Sequence, residues 1–193
     1  SYRDNEVTKL IPAIKMLLKK KFIVIRMGKL VKKKININHS NFIDYPFHPM
    51  KSDFMDFYLA RSCYFWIGSN NGLDELARLF RKPILMLNMA PVGLLKLGYR
   101  NSVLLSKKFK YKKKNLNLSS IFKNRIAFIS DTNHYKKNRT SLIENNSHEI
   151  LKSVKNILIL IQNKWKMSKN KMILQKKFRK NFFYYIKKYN YNF

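Results

Sequence analysis

The sequence predicts an α/β fold, a Rossmann-like parallel sheet flanked by helices. The stretch from Ser62 to Asn88, SCYFWIGSNNGLDELARLFRKPILMLN, reads as strand, turn, helix and second strand. A unit of that length between two apolar runs is a βαβ crossover, which makes its strands parallel. Further short apolar runs lie beside helical patterns, as expected for strands buried on both faces. A late helix, from Ser147 to about Asn163, carries the stripe Ile150, Leu151, Val154, Ile157, Leu158 and Ile161.

In chain order, Val7 to Lys20 is predicted as an amphipathic helix with Leu10, Ile11, Ile14, Leu17 and Leu18 on one face. Pro12 is tolerated near its start, and Lys19 to Lys21 suit its negative C-terminal end. Phe22 to Arg26 is a buried strand that turns away at Met27-Gly28. Residues just past strand C-termini line the ligand crevice of an open α/β sheet, so Arg26 is placed to meet an anion. The residues 29–40 form a basic, Asn-rich loop, and Asn41 to Tyr45 a short strand. Ser52 caps a helix from Asp53 to Arg61, with Phe54, Phe57 and Tyr58 assigned to its inner face. Asp53 and Asp56 could form a carboxylate pair for acid–base work, but the favoured reading has Asp53 serving the N-terminus of that helix and Asp56 solvated.

Cys63 to Ile67 is the first strand of the central unit. Gly68-Ser69-Asn70-Asn71-Gly72 is its turn, built of residues that tolerate left-handed backbone and can cap a helix. Leu73, Leu76, Ala77 and Phe80 recur at helical spacing. Asp74 and Glu75 in the first turn and Arg78, Arg81 and Lys82 in the last complement the dipole. Pro83 stops the helix, and Ile84 to Leu87 is the second strand. The turn sets backbone N–H groups at a helix N-terminus, a place for a phosphate. It is neither a Walker A loop nor a GxGxxG fingerprint. Beyond Asn88, Met89 to Gly93 is a loop and Ser102 to Ser106 a strand. Lys107 to Lys114 is read as a solvated charge run, and Phe122 to Arg139 carries no clear pattern.

The 193 residues divide into a domain over 1–163 and a basic, aromatic tail over 164–193. Charge is extreme and uneven: 41 Lys and Arg against 10 Asp and Glu, a net +31. Residues 76–130 hold thirteen basic side chains and no acid, and 164–193 hold ten and no acid. Lys, Asn, Ile, Phe and Tyr dominate throughout, so an AT-rich coding sequence contributes to this excess. A polyanionic partner is a second source of it, either nucleic acid or an anionic membrane. Nucleic-acid binding would require the charge on one continuous face and a strong salt dependence. The single cysteine, Cys63, excludes an intrachain disulfide. His39, His48, His134 and His148 lack metal-ligand spacing, and no RNA-recognition or zinc-finger signature occurs. The tail drawn as a helix over Lys171 to Tyr189 puts Leu174, Phe178, Phe182, Tyr185, Ile186 and Tyr189 on one side. Lysines and Arg179 fill much of the rest, so the tail reads either as a helix on an anionic membrane interface or as a disordered, AT-biased terminus, and nucleic acid could also attract it through phosphate contacts.

Six motifs in order resemble a family of bacterial glycosyltransferases associated with cell-surface polysaccharide gene sets. They are Tyr2-Arg3-Asp4-Asn5 before Ile11-Pro12-Ala13-Ile14, then Val24-Ile25-Arg26-Met27-Gly28, then Ile43-Asp44-Tyr45. Lys51-Ser52-Asp53-Phe54-Met55-Asp56 follows, then Phe65 to Leu73 with Lys82-Pro83, and last Glu144-Asn145 with Glu149-Ile150. The resemblance implies the C-terminal half of a two-Rossmann-domain (GT-B-like) enzyme, without its N-terminal partner domain. That half would hold a nucleotide-sugar donor for hexosyl or deoxyhexosyl transfer to a surface glycan or lipid-linked acceptor. The donor diphosphate would meet Arg26, Gly68, Ser69, Asn70, Asn71 and Gly72, with Arg3, Lys51, Ser52 and Glu75 as second-rank contacts. No metal and no cofactor beyond the nucleotide-sugar are expected, and no catalytic base can be named. The implied location is cytoplasmic, peripheral on the inner face of the membrane. The alternatives are a basic nucleic-acid-binding protein and a non-catalytic truncated homologue. Two departures from the family pattern stand out: Asn70-Asn71 replace hydroxyl residues after Ser69, and Met89 replaces a Trp after Asn88.

Overall fold

The computed structural model describes residues 1–189 apart from Leu30 and Lys32. Those two positions of the predicted basic loop, and the last four of the predicted tail, lie outside the described residues. The chain is mixed α/β, with parallel sheets flanked by helices. The order is α1 (Ile11–Lys19), β1 (Val24–Arg26), β2 (Phe42–Asp44), α2 (Asp53–Ser62), β3 (Trp66–Gly68), α3 (Gly72–Leu79), β4 (Ile84–Met89) and β5 (Ser102–Ser106). Then come β6 (Lys108–Tyr111), β7 (Lys114–Asn115), α4 (Leu118–Lys123), α5 (Thr132–Lys137), β8 (Thr140–Ile143), α6 (Ser147–Ile161) and α7 (Lys169–Lys188).

β1 and β2 pair in parallel, Val24 beside Phe42. β3, β4 and β5 form a second parallel sheet with β4 central, Trp66 beside Ile84 and Ile84 beside Ser102. Every residue of β4 is buried, and its side chains alternate between faces as a pleat requires. Leu85 and Leu87 pack with Ala13 and Leu17 of α1 and with Ile150, Val154 and Ile157 of α6. Ile84 and Met86 pack on the other face with Ala60 of α2, Trp66 and Ala77 of α3. Val24 of β1 joins the first cluster beside Ile67 of β3, and Met27 joins the second. Val24 thus brings β1 onto one packed face of the larger sheet and Met27, just past β1, reaches the other, while Phe42 of β2 packs with Ile14, Leu18 and Ile35; the larger sheet has helices on each side. Each fully buried Ile, Leu or Met contributes roughly 1.5–3 kcal/mol, so β4 anchors both layers.

The chain then builds a second core. β6 pairs antiparallel with β7 and with β8, and Phe109, Ile121, Phe122, Ile126, Ala127, Tyr135 and Phe182 are buried together beside it. Three expectations change here. The predicted solvated run 107–114 contains β6, because alternation buries Phe109 while its lysine neighbours face outward. Lys107 is itself buried, and its Nζ donates to the carbonyls of Tyr2 (2.9 Å) and Asp4 (2.8 Å). Burial pushes its pKa down, against the attraction of Glu144 and Asp4. The residues 122–139 hold the end of α4 and all of α5.

The tail forms α7, within two residues of the drawn bounds, and most of its stripe packs inward. Phe178, Phe182, Tyr185, Ile186 and Tyr189 pack on the second core. Phe122 meets Phe182 edge-on at 5.8 Å between centroids and stacks on Tyr185 at 5.5 Å. Only Leu174 of the six stays exposed. Phe122, with no exposed surface, needs that cover.

α2 departs the other way. Its buried residues are Asp56 and Ala60, while Phe54, Phe57 and Tyr58 are exposed. Ala60 allows close approach to α3, and Ser52 and Tyr45 pin the other end: Ser52 N–H donates to Tyr45 Oη, whose hydroxyl lies 3.1 Å from the Ser52 carbonyl. Asp56, read as solvated, is buried near Tyr45. The Tyr45 hydroxyl has its pKa raised, first by burial and then by the charge of Asp56. The first strand of the central unit is also shorter than predicted, because Cys63 serves as the C-cap of α2.

Candidate functional site

The turn of the βαβ unit leaves the carboxyl end of β3 and enters α3 at Gly72. Asn70 has φ +68°, a left-handed conformation that Asn tolerates. Asn71 caps α3, its Oδ1 accepting from the Leu73 amide at 3.0 Å. Asp74 completes the capping box and does more. Its carboxylate accepts from Trp66 Nε1 (2.7 Å), from the Ser69 amide (3.1 Å) and from the Asn71 amide (2.9 Å). Asp74 is buried; burial pushes its carboxyl pKa up, against the pull of hydrogen bonds from Asn71, Trp66, Asn70 and Ser69. Gly68 fits this arrangement because a side chain there would collide with the carboxylate: an added Cβ would lie 2.7 Å from Asp74 Oδ2.

The backbone amides of Ser69 and Asn71, named as diphosphate donors, are therefore committed to a carboxylate of the same chain. The turn is an anion seat holding an internal anion. Asn71 and Gly72 are exposed on this turn, and Ser69 and Asn70 are half-buried. Asn70 Nδ2 also reaches the Ala90 carbonyl at 3.4 Å, tying the turn to the end of β4. The signal for Asp74 was present in the sequence as Asn71-x-x-Asp74, a capping-box spacing. Reading Asp74 only against the helix dipole missed it.

Arg26 ends β1. Its Nη1 donates to Asp44 Oδ1 at 3.1 Å and to the Lys33 carbonyl at 2.7 Å. Asp44 also accepts from the Ile35 amide at 2.8 Å, so one carboxylate fixes both the arginine and the loop beside it. Lys51 and Ser52 belong to this side: Lys51 Nζ donates to the Lys29 carbonyl at 3.2 Å, and Ser52 Oγ accepts from the Met55 amide at 3.2 Å as the cap of α2. Glu75 lies beyond the turn on α3, accepting from Lys96 Nζ at 2.8 Å. Arg3 lies past the end of β5, on the segment that Lys107 holds, and its Nε donates to Tyr2 Oη at 2.7 Å. The predicted residues thus fall into three groups at strand ends. No hydrogen bond or ion pair among the described residues joins one group to another.

A buried amide pair went unread in the sequence. The Asn88 amide donates to Asn145 Oδ1 at 2.8 Å, the Asn145 amide donates to Asn88 Oδ1 at 2.6 Å, and Asn145 Nδ2 donates to the Ser106 carbonyl at 3.0 Å. This pair ties the ends of β4 and β5 to the start of α6, with Asn88 at φ +54°. Among the described residues no group of three or more His, Cys, Asp or Glu side chains could hold a metal ion. Compared with known proteins, the chain matches no family model, no curated protein and no solved structure.

Proposed function

We propose that the chain is the donor-binding half of a glycosyltransferase, moving a sugar from a nucleotide-sugar to a surface glycan or lipid-linked acceptor. One observation carries this reading. The Arg26–Gly28 segment and the Gly68–Gly72 turn leave the carboxyl ends of β1 and β3, two strands of separate parallel pairings whose Val24 and Ile67 pack in one core, with Met27 beside Trp66 in the next. Ligands of open α/β sheets bind outside strand carboxyl ends, where the connection order reverses. The order of the six motifs supports the same reading.

In this scheme Arg26, steered by Asp44, offers its guanidinium to the departing diphosphate. Ser69, Asn71 and Gly72 offer polar contacts from a turn that Asp74 already holds rigid. A donor group fixed in advance needs no reorganisation when charge develops on the leaving oxygen. The test is thermal unfolding of the chain with a panel of nucleoside diphosphates. At one hundred times Kd a ligand adds about 2.7 kcal/mol to stability. Arg26→Ala should abolish that ligand-dependent gain, whatever it does to the unliganded melting temperature. A panel that leaves the wild-type melting temperature unchanged sinks the proposal.

A further inference from the structure

Soluble domains seldom expose a contiguous apolar face without a use for it. Here exposed apolar side chains follow one another from the turn after β2 onto α2. Met50 is 62% exposed, Phe54 75% and Tyr58 53%, with Phe47 at the near edge. Phe54 and Tyr58 stack on one another at 6.5 Å. Cations surround these side chains. Lys34 Nζ lies 5.4 Å from the Phe47 ring centroid, Lys51 reaches across to the Lys29 carbonyl, and Arg61 follows one turn beyond Tyr58. The exposed acid among them is Asp53, itself 3.9 Å from Lys29.

We propose that this face docks on an anionic lipid surface. The inference stands apart from the donor-site reading, because vesicle binding needs no nucleotide. Basic residues around a helix face of rings and aliphatic chains are held at a bilayer interface by apolar burial and by attraction to anionic headgroups. A convex helix face needs no shape-matched partner there. A second copy of the chain would bring Lys34 and Lys51 against their own like charges. Nucleic acid would stack its bases on free rings, but Phe54 and Tyr58 already face each other and Met50 has no ring. No helix among the described residues is long and apolar enough to cross a membrane, so the contact is one of lying on the surface. The aromatic stripe of α7 is spent on the second core, although Met172, Ile173, Leu174, Phe183 and Tyr184 of that helix stay exposed.

The test uses the full chain and vesicles of phosphatidylglycerol with phosphatidylcholine, or of phosphatidylcholine alone, at low and raised salt. The chain should pellet with the anionic vesicles, less so at raised salt, and not with the neutral ones. Met50→Ser with Phe54→Ser should lower partitioning by about tenfold or more, since two interfacial apolar side chains are lost. Both positions are exposed, and an unchanged melting temperature will show that the variant folds. Phe183→Ser with Tyr184→Ser, on the exposed side of α7, should pellet as wild type does. Independently, the emission of a Phe54→Trp variant should shift to the blue on anionic vesicles. Wild-type pelleting by the α2 variant, or equal binding to neutral vesicles, overturns the proposal. So does a blue shift with single-stranded DNA but none with vesicles, which assigns the face to nucleic acid. A dimer that the α2 substitutions dissolve assigns it to a second copy and overturns the proposal as well.

Discussion

Gly68→Ala is the sharpest probe of how the central turn is built. The added Cβ would meet Asp74 Oδ1 and Cγ and lie 2.7 Å from Oδ2, so the carboxylate must move. An Asp side chain on the first turn of a helix can rotate, but it then leaves Trp66 Nε1 and the Ser69 and Asn71 amides together. Each hydrogen bond to a charged group is worth about 1.5–3 kcal/mol. Their sum is not additive, and a buried charge stripped of its partners costs about 3–5 kcal/mol. Replacing Gly by Ala returns roughly 0.4–1 kcal/mol by restricting the unfolded chain. The net expectation is a loss of about 3 kcal/mol, a large share of the 5–15 kcal/mol typical of a domain. In urea, at roughly 2 kcal/mol per molar, the midpoint should fall by about 1.5 M. Far-UV circular dichroism and Trp66 fluorescence should report the same transition. Gly72→Ala is the control: an added Cβ there meets nothing within 4 Å, so it should be neutral or slightly stabilising. A Gly68→Ala midpoint no lower than that of Gly72→Ala would refute the account of the turn.

Asp74→Asn tests the same carboxylate by pH. Its folded pKa is raised from an ordinary 3.8, so the folded state holds the proton more tightly than the unfolded chain does. That contribution is full below the ordinary value and is lost as pH rises through the folded one. The stability advantage of wild type over Asp74→Asn, from urea midpoints across pH, should therefore shrink as pH rises through that window; an advantage that grows instead contradicts the sign. Phe182→Ala should cost about 3–5 kcal/mol, as truncation of a buried ring does, while Leu174→Ala on the exposed part of α7 should cost under about 0.5 kcal/mol. Equal, small effects by urea melts would show that α7 does not cover the second core.

Much of the α/β architecture was legible because its signals are local. Short apolar runs beside amphipathic helices required parallel strands, and Pro83 and the Asn-rich turn marked where the crossover bends. β4 reads correctly from four residues because a strand buried on both faces must be apolar throughout, and the structure extends it to Met89. α2 was misread because Ala60 and Asp56, not the larger rings, face inward. No periodicity in ten residues says which side of a helix a neighbour will occupy.

The sequence by itself determined that parallel strands alternate with helices, and that a turn rich in Asn and Gly joins β3 to α3. These follow from spacing within a few residues, where backbone preference and apolar period act. Only the tertiary structure decided that Asp74 also takes Trp66 Nε1 and the Ser69 amide, beyond its capping-box bond, that Lys107 is buried on the carbonyls of Tyr2 and Asp4, and that Asn88 and Asn145 bond across the ends of β4 and α6. The last two pairings join residues 105 and 57 positions apart. The first depends on Gly68 leaving room for a carboxylate beside β3. A buried polar group takes whichever partner folding brings near it, and that partner is chosen by packing at a distance rather than by neighbours along the chain.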